Sequence, residues 1–328
     1  MMIRFKGVWK TFPPNHTVLE DFNLEIREGE TLVILGKSGS GKTTALQLIN
    51  RLIDPTKGEV FVGEKNILSL DPIELRRNIG YAVQEIGLFP HMTVEENIAI
   101  VPKLLGWEEK KIDQRVDQLM EILELDPGKY RKRYPLKLSG GQRQRIGVAR
   151  ALAADPPIVL MDEPFGALDP ITRERTQKEF LELNSKMKKT VVFVTHDLYE
   201  AVTMGDRIAL MDQGKLLQVA TPRMFVENPP SAFEDDFLGQ HRFQLSLLTK
   251  TIVECVEPSI RGRSEIFPRL SPQTTLMEAL NTFKEENIKT LPVFSGPSYR
   301  GEIRKEKLLD QVLDLLMQEP KNYETADR

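Results

Sequence analysis

Gly36-Lys37-Ser38-Gly39-Ser40-Gly41-Lys42-Thr43 is a glycine-rich run between an apolar segment and a helix-forming one. It fits the spacing G-x-x-x-x-G-K-S/T. Its flanks are the ones that spacing requires: the apolar run Leu32-Val33-Ile34-Leu35 before it and helix-forming Ala45-Leu46-Gln47-Leu48-Ile49 after it. Glycines 36, 39 and 41 let the backbone turn tightly and aim its N–H groups inward, while the following helix points its positive end at the same place. An anion belongs there. Lys42 would reach the β- and γ-phosphates of ATP and Thr43 would offer its hydroxyl to Mg²⁺, with Lys37, Ser38, Ser40 and Thr44 completing the cradle.

The rest of the chain sets bounds on that reading. Its 328 residues suffice for one large or two moderate domains, and 40 % hydrophobic with 28 % charged residues is the composition of an ordinary globular protein. No stretch approaches the roughly 18 apolar residues needed to cross a bilayer, and Met1-Met2-Ile3-Arg4-Phe5-Lys6 lacks a signal-peptide core, so a cytoplasmic location is expected. The single cysteine, Cys255, reads as a core or surface thiol in a reducing compartment. A net charge of −3 argues against nucleic acid as a partner. The basic cluster Lys129, Arg131, Lys132 and Arg133 reads as a solvated face.

Taken in order, residues 3 to 26 alternate apolar and polar as in a half-buried antiparallel sheet, with Trp9 and Phe12 in the first loop, where one aromatic could stack on a base. A helix after the glycine-rich loop is expected to reach about Leu52, before Asp54-Pro55, with a strand at Glu59 to Val62. Asp71-Pro72-x-Glu74 is a helix start, and strand-like Ile79 to Val83 delivers Gln84 to a loop, where its amide could bind Mg²⁺ or orient water. Thr93-x-x-Glu96 is a capping box, and Ile112, Val116, Leu119 and Leu123 form an apolar stripe, so residues from about 93 form an inserted helical subdomain. Leu138-Ser139-Gly140-Gly141-Gln142 opens another helix and is chemically a second anion site. Ile158-Val159-Leu160-Met161 carries Asp162 and Glu163 to the edge of a buried parallel strand, suited to Mg²⁺ and to a general base for water. Val191 to Thr195 brings His196 to the same edge, where a γ-phosphate contact is expected. Asp169-Pro170 caps the helix between them.

The order and spacing of these motifs over roughly residues 1 to 240 resemble the nucleotide-binding subunit of ABC transporters. The resemblance implies an α/β P-loop fold with an antiparallel flap and a helical subdomain at about 93–150, and a head-to-tail homodimer that sandwiches two ATP molecules. Ser139, Gly140, Gly141 and Gln142 of one copy would close over the nucleotide on the other, which explains two anion sites in one chain. Phe12 becomes the better candidate for adenine stacking, Glu163 with His196 and Gln84 the catalytic set, and Asp162, Thr43 and Gln84 the Mg²⁺ ligands. Asp169 would lie at the dimer seam.

Asn50-Arg51-Leu52-Ile53, Asp71 to Arg77, Ile86 to Thr93 and Val101 to Leu105 look like the glycine betaine/carnitine/choline/proline importers, the osmoprotectant branch. The implied function is ATP hydrolysis that drives uptake through a separate membrane permease, contacted near Ile86 to Thr93. A separate extracytoplasmic solute-binding component is implied as well. The alternative is a soluble ABC-type ATPase acting on nucleic-acid or ribosomal complexes. From about 241 to 317, Ser271 to Leu280 and Ile288 to Val293 resemble a CBS-type motif, a small α+β domain. The run Gly301 to Lys307 departs from the Thr and Asp that commonly contact a ribose, so dimerisation scaffold and nucleotide sensor both stay open. Residues 318–328 read as a polar tail.

Overall fold

The computed structural model describes residues 2–83, 87–166, 168–229, 237–259 and 268–317, with side chains throughout except at 185–187. Gln84, expected at the site, lies outside these residues, as do the first residue of the Ile86 to Thr93 stretch and the 318–328 tail.

The chain forms two compact units, Met1–Val219 and Ala220–Arg328. The division falls ahead of the boundary expected at 240 because a helix at Pro222–Glu227 packs against one at Arg242–Thr249.

The first unit is built on two sheets. β1 (Ile3–Phe12) and β2 (His16–Ile26) form an antiparallel ribbon, registered Ile3 to Ile26 and Phe12 to His16, and β1 also pairs with β4 (Lys57–Val62), which continues to β5 (Lys65–Asn66). The second sheet contains β3 (Thr31–Gly36), β6 (Ile79–Ala82), β7 (Ile158–Asp162), β8 (Thr190–Thr195), β9 (Arg207–Asp212) and β10 (Lys215–Ala220), in the order β10-β9-β3-β8-β7-β6. β6, β7, β8, β3 and β9 run parallel. β3, β7 and β8 are buried along their whole length, as their unbroken apolar runs require of strands covered on both faces. β9 turns into β10 through Gln213 and Gly214, both at positive φ, the conformation of a tight two-residue hairpin.

Helix α1 (Lys42–Ile49) lies between the sheets. Its Ala45, Leu46, Leu48 and Ile49 share one core with Phe5 and Phe22 of the ribbon and with Ile34, Leu160 and Val192 of the parallel sheet. Truncation of one such leucine costs about 2–5 kcal/mol. The helix stops earlier than Leu52: Asn50 caps it, and Arg51 turns left-handed at φ 46°. α2 (Pro72–Arg77) starts as expected, with Asp71 Oδ1 accepting from the N–H groups of Ile73 and Glu74.

The helical insertion comprises α3 (Val94–Leu104), α4 (Glu109–Ile122), α5 (Pro127–Tyr130) and α6 (Gly140–Leu152). Ile112, Val116, Leu119 and Leu123 are all buried, so the stripe is core. The basic cluster is more than a solvated face. Arg131 donates to Glu95 (2.5 Å), Asp113 (2.5 Å) and Asp117 (2.8 Å), tying α3 and α4 to the segment after α5, while Lys132 pairs with Glu95. α7 (Pro170–Met187) and α8 (Leu198–Met204) flank β8 in sequence, capped by Asp169 and Asp197.

In the second unit, α9 (Pro222–Glu227) and α10 (Arg242–Thr249) precede a parallel bridge from Leu270 to Val293. α11 (Leu276–Glu286), the hairpin β11 (Thr290–Ser295) and β12 (Ser298–Arg304), and α12 (Lys305–Met317) follow. Thr275 and Glu278 close a capping box on α11, and Ile252, Leu276, Phe283, Leu291, Ile303 and Leu308 belong to a separate small core. Cys255 is buried there, its thiol on Gln311 Oε1, and burial pushes it up to about 11.

Candidate active site

The loop after β3 owes its shape to close backbone approaches. A Cβ on Gly36 would fall 2.3 Å from the carbonyl oxygen of Met211, and one on Gly41, at φ 100°, would fall 2.9 Å from that of Val18. Only glycine fits at either position. The β9–β10 turn braces the loop through Gly214 N–H to Ser40 O, 3.1 Å. Gly41 is the N-cap of α1 and offers no side chain to its first-turn N–H groups, so these donors and the positive helix end are directed to an external acceptor. Lys37, Ser38 and Gly39 form the exposed lip, whereas the Ser40 hydroxyl is buried with no hydrogen-bond partner among the described residues. That hydroxyl is thus free to hydrogen-bond a polar ligand.

Lys42 is buried and donates from Nζ to the carbonyls of Gly36 and Lys37, both at 2.8 Å. Burial pushes its ammonium below the ordinary lysine value, opposed by the charges of Glu163 and Asp162. Thr43 Oγ1 donates to Asp162 Oδ1 across 3.1 Å. Asp162 is itself buried at the end of β7. Burial raises its carboxyl and the Thr43 hydrogen bond lowers it, with a net rise.

Glu163, the next residue, adopts φ 46°. A non-glycine residue in the left-handed region costs on the order of 1 kcal/mol or more and persists only where its surroundings determine it. Here Glu163 N–H donates to Val194 O (3.0 Å), while Glu163 O accepts from Gly166 N–H (3.2 Å) and from the Gln144 amide (3.4 Å). The outcome of this bend is a side chain turned toward β8, with Oε1 3.1 Å from Nδ1 of His196. His196 therefore meets Glu163, beside the expected phosphate position.

The structure brings Lys42, Thr43, Asp162, Glu163 and His196 into one connected set. Ser139 to Gln142 form another. Ser139 Oγ accepts from Gln142 N–H (3.2 Å), Gln142 Oε1 accepts from Ser139 N–H (3.0 Å), and Gln142 Nε2 donates to Tyr130 Oη (3.2 Å). Gly140 begins α6, and a Cβ on Gly141 would fall 2.8 Å from Leu168 Cδ2, so this helix start packs on the turn before α7. Phe12 stands at the hairpin end of β1, half-buried, with Lys10 Nζ 4.9 Å from its ring centre.

Two positioning residues escaped the sequence reading. Gln144 is a buried polar residue within a helical run, indistinguishable by pattern from a surface glutamine. Asn97 is fully buried: Nδ2 donates to the carbonyls of Phe89, Met92 and Thr93, and Oδ1 accepts from Phe89 N–H at 2.8 Å. It shapes the turn from 89 to 93. Beside that turn a groove of about 310 Å³ is lined by Tyr81, Phe89, Ile100 and Val101 together with Arg76, Arg77 and Arg150, and Arg150 donates to Gly87 O at 2.8 Å.

The chain is similar to several known proteins. A family profile described as "ABC transporter" matches residues 19–166. The glycine betaine/carnitine/choline transport ATP-binding protein OpuCA of Bacillus subtilis is 44% identical over 310 residues, 94% of this chain and 80% of the relative. The osmoprotectant import ATP-binding protein OsmV of Salmonella typhimurium is 45% identical over 301 residues, covering 90% and 77%. The glycine betaine uptake system ATP-binding protein YehX of Escherichia coli is 44% identical over 293 residues, covering 89% and 94%. Among solved structures, the dimeric post-hydrolysis state of the ATP-binding cassette MJ0796 bound to ADP and Pi is 37% identical with a TM-score of 0.62, covering 67% of this chain and 98% of that one. With the phosphate loop, the Asp162–Glu163 strand end and His196 in one connected set, the chain belongs to the ATP-binding proteins of ABC transporters, in the branch that handles glycine betaine and related osmoprotectants.

Proposed function

We propose that this chain hydrolyses ATP to power uptake of osmoprotectants such as glycine betaine, carnitine, choline or proline through separate membrane permease subunits. The observation that carries the reading is the contact of Glu163 with His196 at the edge of a sheet whose neighbouring strand ends in the phosphate loop. Glu163 takes a proton from water as the water oxygen bonds to the γ-phosphorus and the bond to the bridging oxygen breaks. His196 holds the carboxylate in place through Nδ1, and Lys42 with the first-turn N–H groups of α1 takes up negative charge on the phosphates.

The residues present fit Mg²⁺. Thr43 Oγ1 and Asp162 Oδ1 are hard oxygen donors, and among the described residues no cluster of three His, Cys, Asp or Glu could hold a metal unaided. That matches an ion held by one or two protein oxygens together with substrate phosphates. Thr43 and Asp162 would hold it, with Gln84, and it would neutralise charge developing on the β- and γ-oxygens.

Ser139 to Gln142 act on the nucleotide of a second copy in a head-to-tail homodimer, which gives each chain's two anion sites a use. Phe12 stacks on the adenine. The groove beside the 87–93 turn, lined by apolar and basic side chains, suits a short helix of the permease and is consistent with the contact expected near Ile86 to Thr93. The chain acts as a peripheral subunit on the cytoplasmic face of the membrane; among the described residues no helix is long and apolar enough to cross it. A separate extracytoplasmic component supplies the solute. The second unit acts as a CBS-like dimerisation or regulatory domain. Its order of bridge, helix, hairpin and helix suits that motif, while Gly301 and Arg304 are engaged with Glu257.

The experiment is reconstitution with the permease in liposomes and a panel of quaternary amines at varied ionic strength. ATP-dependent accumulation of at least one quaternary amine is expected. ATP hydrolysis that no osmoprotectant and no permease alters would overturn the transport reading.

A further inference from the structure

Helix α7 grips the segment around His196 from both sides. Arg173 and Gln177 lie one turn apart on α7 and so share a face. Gln177 Nε2 donates to Oε1 of the buried Glu200 across 3.0 Å, and Oε2 of Glu200 accepts from Thr195 Oγ1. Thr195 Oγ1 also accepts from Asp197 N–H at 3.0 Å. On the other side of His196, Arg173 Nη1 stands 3.7 Å from Asp197 Oδ2, while Nη2 donates to the carbonyl of Leu168 at 3.2 Å. Leu168 directly precedes Asp169, the cap of α7. The His196 side chain is itself 63% exposed, and the backbone that carries it is held on either side through Thr195 and Asp197.

We propose that Arg173 is a positioning residue for hydrolysis: its guanidinium joins the Leu168–Asp169 turn to Asp197, so that displacement of that turn moves His196 relative to Glu163. This rests on the ATPase reading and on the roles given to Glu163 and His196. A planar guanidinium holds the carbonyl and the carboxylate on two separate nitrogens of one rigid fork, whereas an ammonium offers a single nitrogen on a flexible stem. The side chains of Arg173 and Asp197 are 32% and 29% exposed, and a pair so open to water adds little to fold stability. Nε of Arg173 is buried with no acceptor among the described residues, which leaves the guanidinium able to change partners as the turn moves.

The test compares steady-state ATP hydrolysis by the full chain as wild type, Arg173→Gln, Arg173→Lys, Asp197→Asn and the double variant Arg173→Gln/Asp197→Asn, with Glu163→Gln and His196→Ala alongside. Asn at 197 still caps α8 through Oδ1 and so preserves the fold if Arg173→Gln does not. Expected are a fall in kcat of about tenfold for Arg173→Gln, a KM for ATP within about twofold of wild type, and an intermediate kcat for Arg173→Lys. The double variant should be no slower than the slower single one, because both break one link. Wild-type kcat in Arg173→Gln and Asp197→Asn, effects that multiply independently, or losses that follow a lowered Tm would each overturn the inference. If His196→Ala and Glu163→Gln lose turnover while Arg173→Gln does not, the inference falls and the site reading stands. If His196→Ala turns over like wild type, the site reading falls and takes the inference with it.

Discussion

Nδ1 of His196 lies 3.1 Å from Oε1 of Glu163, and these two residues reach each other from adjacent parallel strands, β8 and β7. The contact depends on the left-handed bend at Glu163, since an extended residue there would continue the line of β7. It places a base and the group that holds it beside the phosphate loop.

Glu163→Gln keeps the shape of the side chain and its acceptor oxygen but removes the basicity. Turnover should fall at least about a hundredfold, within the range general-base catalysis contributes, while ATP affinity stays within about twofold. Steady-state phosphate release and nucleotide titration check both halves.

Lys42→Ala acts on binding instead. The buried ammonium is held by two loop carbonyls, and its charge-assisted contacts with a phosphate are worth about 1.5–3 kcal/mol, or roughly ten- to a hundredfold in affinity. A fluorescent ATP analogue should bind correspondingly more weakly. Undiminished binding would count against the phosphate-loop assignment.

Asn97→Ala strands buried carbonyls of Phe89, Met92 and Thr93 and the N–H of Phe89. Unpaired buried groups of this kind cost about 1–3 kcal/mol, visible as a lower denaturation midpoint. Hydrolysis by the chain alone should persist, since the turn from 89 to 93 lies outside the connected site, and stimulation by the permease should be lost. A variant in which the two fall together would show that the turn serves the site itself.

Glu95 supplies a pH dependence. Burial works against its ionisation, but hydrogen bonds from Lys132 and Arg131 hold its carboxyl below the ordinary value. A depressed carboxylate contributes stability that is complete above the ordinary glutamate value of about 4.3 and is lost as pH falls through the lowered one. Glu95→Gln should therefore lower Tm at neutral pH, and its deficit should shrink as pH drops below about 4. A deficit that does not vary with pH would mean that the charge of Glu95 is not what stabilises the insertion.

Much of the fold was legible because its signals are local. The unbroken apolar runs of β3, β7 and β8 and the capping groups Asp71, Thr93, Ser139 and Asp169 each announce an element within a few residues. That Lys42, Thr43, Asp162, Glu163 and His196 come together was legible for the same reason, since strand ends and a loop of fixed spacing place them. What escaped depends on long-range contacts. Arg131 looks like any surface cation until Glu95, Asp113 and Asp117 arrive from two other helices, 36, 18 and 14 positions away in sequence. Asn97 shows no pattern distinguishing it from an exposed asparagine, and Gln144 is informative only once Glu163 lies against it. The end of α1 was misplaced by three residues because the left-handed turn at Arg51 carries neither Gly nor Pro to mark it.

In the proposed dimer the Gly36–Thr43 loop is half of an ATP site completed by Ser139 to Gln142 of a second copy. Sedimentation velocity of the full-length Glu163→Gln chain with Mg²⁺, and with ATP, ADP or no nucleotide, tests it most directly. ATP alone, and neither ADP nor Mg²⁺ by itself, should drive a further association of the chains, and that ATP-dependent step should be lost when Ser139 is also changed to an arginine. Sedimentation unchanged by ATP, or an ATP-dependent dimer that survives the Ser139→Arg change, would contradict it.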